Sequence, residues 1–73
     1  MIHYKDRIII EPNRRFGRPC VKGTRIAVYD ILSWLASGMS NEQIVRDFPE
    51  IKDEDIKASL AFAADKEHKL RVA

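Results

Sequence analysis

The apolar positions of the chain change period once, at Val28. Before that point, Arg7-Ile8-Ile9-Ile10-Glu11 is a β-branched run closed by Pro12-Asn13, the pattern of a short strand entering a turn. Residues 12–25 hold two prolines, Gly17, Gly23 and five basic side chains. This predicts a loop, with a second short strand around Thr24–Ala27 returning beside the first. Two strands alone are marginal, so the ribbon has to lean on helices or on a partner chain. From Val28 onward, Val28, Ile31, Leu32 and Leu35 fall at i, i+3, i+4 and i+7, one face of a helix ending at Ser37. Gly38 supplies the left-handed residue that commonly follows a helix. Ser40-Asn41-Glu42-Gln43 is a capping-box pattern opening a short helix that turns Ile44, Val45 and Phe48 inward and stops before Pro49. Asp53 reads as the N-cap of a third helix, with Glu54 and Asp55 at the positive end of its dipole. Ile56, Leu60 and Ala63 form its inner stripe as far as about Glu67, and Leu70–Ala73 are expected to fray. The fold class is therefore mainly α: a short N-terminal β-ribbon and basic loop (1–27), then a three-helix bundle with the short helix and tight turn of a helix-turn-helix (28–68), then a tail (69–73). All of it forms one domain.

Composition narrows the chemistry. A chain of 73 residues holds one modest core. Cys20 is the only cysteine, which excludes an intramolecular disulfide and a CxxC metal knuckle, and His3 and His68 stand near opposite ends. No metal or cofactor is expected. No apolar run approaches the roughly 20 residues that span a bilayer, and no charged segment leads into an apolar one as in a secretory signal. The expected setting is the cytoplasm, without membrane contact. The net charge of +2 conceals an asymmetry. Residues 1–37 carry seven basic side chains against three acidic, whereas residues 38–73 carry six against eight. The excess is densest between Arg14 and Arg25.

That basic loop is the leading candidate site. Arg14, Arg15, Arg18, Lys22 and Arg25 suit bidentate binding of phosphate or carboxylate, and Phe16 among them suits stacking on an exposed base. A plainer reading leaves the charges solvated, with Arg18 and Arg25 capping carbonyls of the loop itself. Neither GxGxxG nor GxxxxGK[ST] is present, so nucleotide binding is rejected and Gly17 and Gly23 read as turn positions with positive φ. Cys20 reads as a small buried hydrophobe. The chain offers no catalytic triad and no pocket-anchored carboxylate pair, so it is not read as an enzyme.

The strings Arg7-Ile8-Ile9-Ile10-Glu11-Pro12, Gly17-Arg18-Pro19-Cys20-Val21-Lys22-Gly23-Thr24-Arg25-Ile26 and Ala36-Ser37-Gly38-Met39-Ser40 resemble one family, as do Asp47-Phe48-Pro49, Glu54-Asp55-Ile56 and Ala58-Ser59-Leu60-Ala61-Phe62-Ala63. It is the bacterial and archaeal domain-of-unknown-function family four-three-three, and the resemblance runs from about Arg7 to Glu67. The resemblance implies a homeodomain-like fold and, for many members, a role as antitoxin beside a PIN-like ribonuclease toxin. Only six residues follow Glu67, so contact with such a toxin is expected through the folded body.

A groove-reading use of the third helix meets an electrostatic objection: its first turn is Asp53, Glu54 and Asp55, and three acids repel a polyanion. Trp34 and Phe62 fall outside the narrow apolar stripes, which points to a homodimer using them together with the Ile8–Ile10 strand (Ile8, Ile9, Ile10). The sequence thus suggests an antitoxin-like homodimer that blocks a PIN-like ribonuclease through Arg14, Arg15, Phe16, Arg18, Lys22 and Arg25. The alternative is a DNA-binding regulator using the same cations on phosphates.

Overall fold

A computed structural model describes residues 4–72, with side chains described for residues 4–68. β1 (Ile8–Ile9) pairs antiparallel with β2 (Cys20–Val21), Ile8 opposite Val21 and Ile9 opposite Cys20. The second strand lies earlier than the Thr24–Ala27 expected from sequence, because Thr24 turns the chain rather than extending it. Its hydroxyl donates to the Val21 carbonyl and accepts from the Ile26 N–H, both at 3.0 Å, and Gly23 supplies the positive φ (82°) that the tight turn requires. The return segment keeps one bridge, Cys20 to Ala27.

Three helices follow: α1 (Val28–Ala36), α2 (Asn41–Asp47) and α3 (Asp53–Val72). α1 ends in a Schellman arrangement, the Gly38 N–H on the Leu35 carbonyl and the Met39 N–H on the Trp34 carbonyl. The capping box of α2 forms as read, Gln43 N–H to Ser40 Oγ at 3.1 Å and Ser40 N–H to Gln43 Oε1 at 2.8 Å. Asp53, expected as the α3 cap, sits inside the first turn instead. The carboxylate that reaches back is Asp55, whose Oδ2 accepts the Lys52 N–H at 2.9 Å. α3 also continues past Glu67 to Val72, so Leu70, Arg71 and Val72 are helical rather than frayed; Ala73 lies outside the described residues.

Each helix packs on the other two, and α3 also covers β1. Ile31, Ile44, Ile51 and Ile56 are fully buried, one from each helix and one from the α2–α3 turn. Each contributes about 1.5–3 kcal/mol of burial. Ile8, Val21, Val28 and Ala58 complete the cluster. The buried face of α3 differs from the expected Ile56–Leu60 stripe: Leu60 is 47% exposed, while Asp55, Ala58 and Ser59 are buried. Small side chains let the helix lie close to its neighbours. Ser59 satisfies its hydroxyl on the Asp55 carbonyl, and Asp55 meets Arg7 Nη1 at 3.0 Å.

The features that suggested a dimer find partners within one chain. Ile8 is buried rather than exposed, because β1 lies under α3 and pairs with β2. Trp34 stacks on Phe48 with centroids 4.0 Å apart, and Phe62 meets Tyr4 edge to face at 5.4 Å. Ile9 is half-buried, and of the five proposed interface residues Ile10 alone is exposed, at 56%.

Candidate functional site: the braced basic loop

The chain from Glu11 to Arg25 folds back on itself through two arginines. Arg14 Nη1 donates to the Thr24 carbonyl at 2.7 Å, and its Nε pairs with Glu11 at 3.0 Å. Arg15 Nη1 donates to the Arg25 carbonyl at 2.7 Å and pairs with Asp30 Oδ2 at 3.0 Å. Carbonyl capping within the loop therefore falls to Arg14 and Arg15, not to Arg18 and Arg25. A guanidinium reaches across the loop because it offers several donors in a fixed fork.

Asp30 ties this loop to the bundle. The same Oδ2 that holds Arg15 accepts the Ala27 N–H at 3.0 Å, closing the start of α1. Asp55 does the equivalent at α3, capping with one oxygen and holding Arg7 with the other. An acid in the first turn suits the helix dipole, and an arginine from the N-terminal third neutralises it.

Between the braces the backbone turns left-handed for three residues in succession. Arg15, Phe16 and Gly17 have φ of 50°, 58° and 79°. Glycine adopts this conformation freely, whereas for Arg15 and Phe16 it is strained. The turn closes through Gly17 N–H to the Arg14 carbonyl and Arg18 N–H to the Arg15 carbonyl. It carries Phe16 outward to 99% exposure. Arg18 lies over the Tyr29 ring, 5.7 Å from its centroid. Lys22 and Arg25 are exposed, and no ion pair or side-chain hydrogen bond engages either within the described residues.

The six sequence-predicted site residues thus divide by role. Arg14 and Arg15 hold the loop's shape, and Phe16, Arg18, Lys22 and Arg25 are exposed. Periodicity did not identify Asp30, Thr24 or Tyr29; the signal for Asp30 was its place three residues into α1 after an uncapped Ala27. Cys20 is fully buried, as its reading as a small hydrophobe expected. Among the described residues no three His, Cys, Asp or Glu side chains are grouped so as to hold a metal ion, and no helix is long and apolar enough to cross a membrane.

Fold and loop together define a small three-helix domain with a structured basic loop on its β-ribbon side. The family described as a protein of unknown function (DUF433) matches residues 8–63, and the chain belongs to it. A crystal structure of a DUF433 member protein from Anabaena variabilis is similar, with a TM-score of 0.81 over 92% of this chain and 66% of that one, at 19% identity. At that identity the likeness is one of fold. The uncharacterized protein y4eO of Sinorhizobium fredii is 30% identical over 59 residues, which is 81% of this chain and 27% of that protein. This chain therefore spans about a quarter of the curated relative it matches.

Proposed function

We propose that the protein is an antitoxin-like binding protein that blocks a PIN-like ribonuclease, with the Arg14–Arg25 loop as its contact surface. The observation that carries this reading is the pair of cross-loop braces, Arg14 on Thr24 and Arg15 on Arg25. A loop already fixed in shape loses little entropy on binding, so its cations are offered in a set arrangement. PIN-like nuclease sites are built from carboxylates that hold a metal ion, and Arg18, Lys22 and Arg25 match that chemistry. The neighbouring reading frame is expected to encode a small PIN-like ribonuclease, and the test is titration of the full chain into that enzyme, read as RNA cleavage; a neighbourhood without such a frame counts against the reading. Stoichiometric inhibition is expected, lost in the Lys22→Glu/Arg25→Glu variant while the helical circular-dichroism signal persists. Absence of inhibition at a molar excess would refute the reading. A homodimer belongs to the same proposal, now resting on Ile10 and the outer edge of β1 rather than on Trp34 and Phe62; a light-scattering mass of one 8.4 kDa chain would remove it.

One observation favours the DNA-binding alternative. The acidic first turn of α3 is less repulsive than the sequence suggested, because Asp55 is buried against Arg7 and Asp53 pairs with Lys57 at 3.3 Å. A gel shift on the chain's own promoter fragment, repeated over a salt series, distinguishes this reading. Affinity must fall with a log–log slope of about −0.9 per phosphate contacted.

A further inference from the structure

Phe16 is the residue for which the fold gives least account. It is 99% exposed, far beyond Tyr29 at 64% and Ile10 at 56%, so its ring does no packing. Its backbone sits at φ 58° and ψ 36°, a conformation that suits glycine. A side chain that gives the core nothing, on a backbone its own Cβ strains, is the pattern found where strain is held for function.

Resting on the reading of this loop as a protein-binding surface, we infer that Phe16 is an aromatic anchor that inserts into an apolar pocket of a partner protein whose rim carries carboxylates. Shape points to insertion. The ring stands at the apex of a one-turn projection, and phenylalanine and arginine are enriched in the anchoring parts of interfaces. Charge supplies the rim. Arg18, two residues along the chain, Lys22, and Arg25, whose carbonyl holds the turn, are exposed cations on the loop that carries the anchor. A single-stranded nucleic acid is disfavoured, because the two arginines immediately before Phe16 are engaged internally and not offered to a backbone of phosphates. Self-association through Phe16 is disfavoured as well, since in a symmetric pair formed by this loop the ring would meet an identical cationic loop. Arg15 and Asp30 are positioning residues in this scheme, because they fix the turn without contacting the pocket.

The test places photoreactive benzoylphenylalanine at position 16 of the full chain in its native host, with the exposed Glu42 as control site. The expected result is one protein adduct, joined at a segment in which apolar residues are flanked by Asp or Glu. With that protein purified, Phe16→Ala is expected to weaken binding at least about tenfold, while Phe16→Leu, which keeps apolar volume, loses less. Unchanged helical circular dichroism in both variants separates lost contact from lost folding. The inference is overturned by adducts to nucleic acid or to a second copy of the chain, by no adduct above the Glu42 control, or by a Phe16→Ala loss under tenfold. A captured partner that is not a ribonuclease removes the proposed function and leaves the anchor standing. An inhibited ribonuclease that is indifferent to Phe16→Ala does the reverse.

Discussion

Replacing Phe16 by glycine is expected to make the protein more stable. The side chain is 99% exposed, so deleting it returns almost no buried apolar surface to water. The change acts on the backbone. A non-glycine residue in the left-handed region is disfavoured by about 1–2 kcal/mol, and glycine removes that strain. Glycine also gives the unfolded chain more freedom, which opposes the gain by about 0.5–1 kcal/mol. The balance is a stabilisation of about 0–1.5 kcal/mol, centred near about 0.75 kcal/mol. For a domain of this size each kcal/mol moves Tm by roughly 4–8 °C, so a rise of about 3–6 °C is expected. Thermal and urea unfolding followed by far-ultraviolet circular dichroism measure it, and an unchanged urea slope shows that the gain lies in stability and not in compactness. Phe16→Asn is the companion variant, because asparagine tolerates the left-handed region without the entropy of glycine. A fall in Tm for both variants would refute the reasoning and would mean that the ring packs on something. A rise shows phenylalanine held at position 16 against the interest of the fold.

Further outcomes follow from the braces. Arg15→Ala keeps a strained φ of 50° and removes both the Arg25 carbonyl bond and the Asp30 pair, so it should destabilise by about 1–2 kcal/mol in urea unfolding, opposite in sign to Phe16→Gly. Arg7→Ala leaves the Asp55 carboxylate, 7% exposed, with the Lys52 N–H but no cation; with Arg7 itself 40% exposed, the loss should lie between surface and buried values, about 1–3 kcal/mol by the same assay. The hydrogen bond that Tyr4 donates to Asp65, aided by burial and by the Asp65 charge, holds the phenol above its ordinary pKa of 10.0. A raised folded pKa gives stability that is fully present below the unfolded value and lost as pH rises through the folded one. Wild type should therefore lose stability relative to Tyr4→Phe only above pH 10.0, as urea midpoints over an alkaline series will read.

Local signals were legible in the sequence, and signals that depend on a distant partner were not. Ser40 and Gln43 satisfy each other three residues apart, and Gly38 closes α1 within its own turn, so both formed as read. The buried face of α3 matches the expected stripe at Ile56 and departs from it at Leu60, because Asp55, Ala58 and Ser59 turn inward instead. Nothing in hydrophobic periodicity marks an aspartate as inward; that requires Arg7, 48 positions away, to meet it. Thr24 is the local exception: it reads as a strand residue by propensity, and only its hydroxyl bonds to Val21 and Ile26 show the turn. The site was legible as a cluster of charge. The division into braces and presented groups was not, since five cations in one loop look alike until their partners are known.

That division bears on how the recognisable string from Gly17 to Ile26 should be understood. Gly17 and Gly23 carry positive φ, the Pro19 carbonyl accepts the Val28 N–H, Cys20 and Thr24 are buried, and Thr24 is bonded on both sides. Most of the string therefore builds the frame. Lys22 and Arg25 project from it, Arg18 lies along Tyr29, and Phe16 stands just ahead of it. A binding defect on replacing Thr24 or Cys20 accordingly reports collapse of the frame and says little about contact. A defect on replacing Phe16, Lys22 or Arg25, with the helices intact, reports contact itself. Candidate partners are best ranked on those three positions, because they are the ones whose chemistry the fold leaves unexplained.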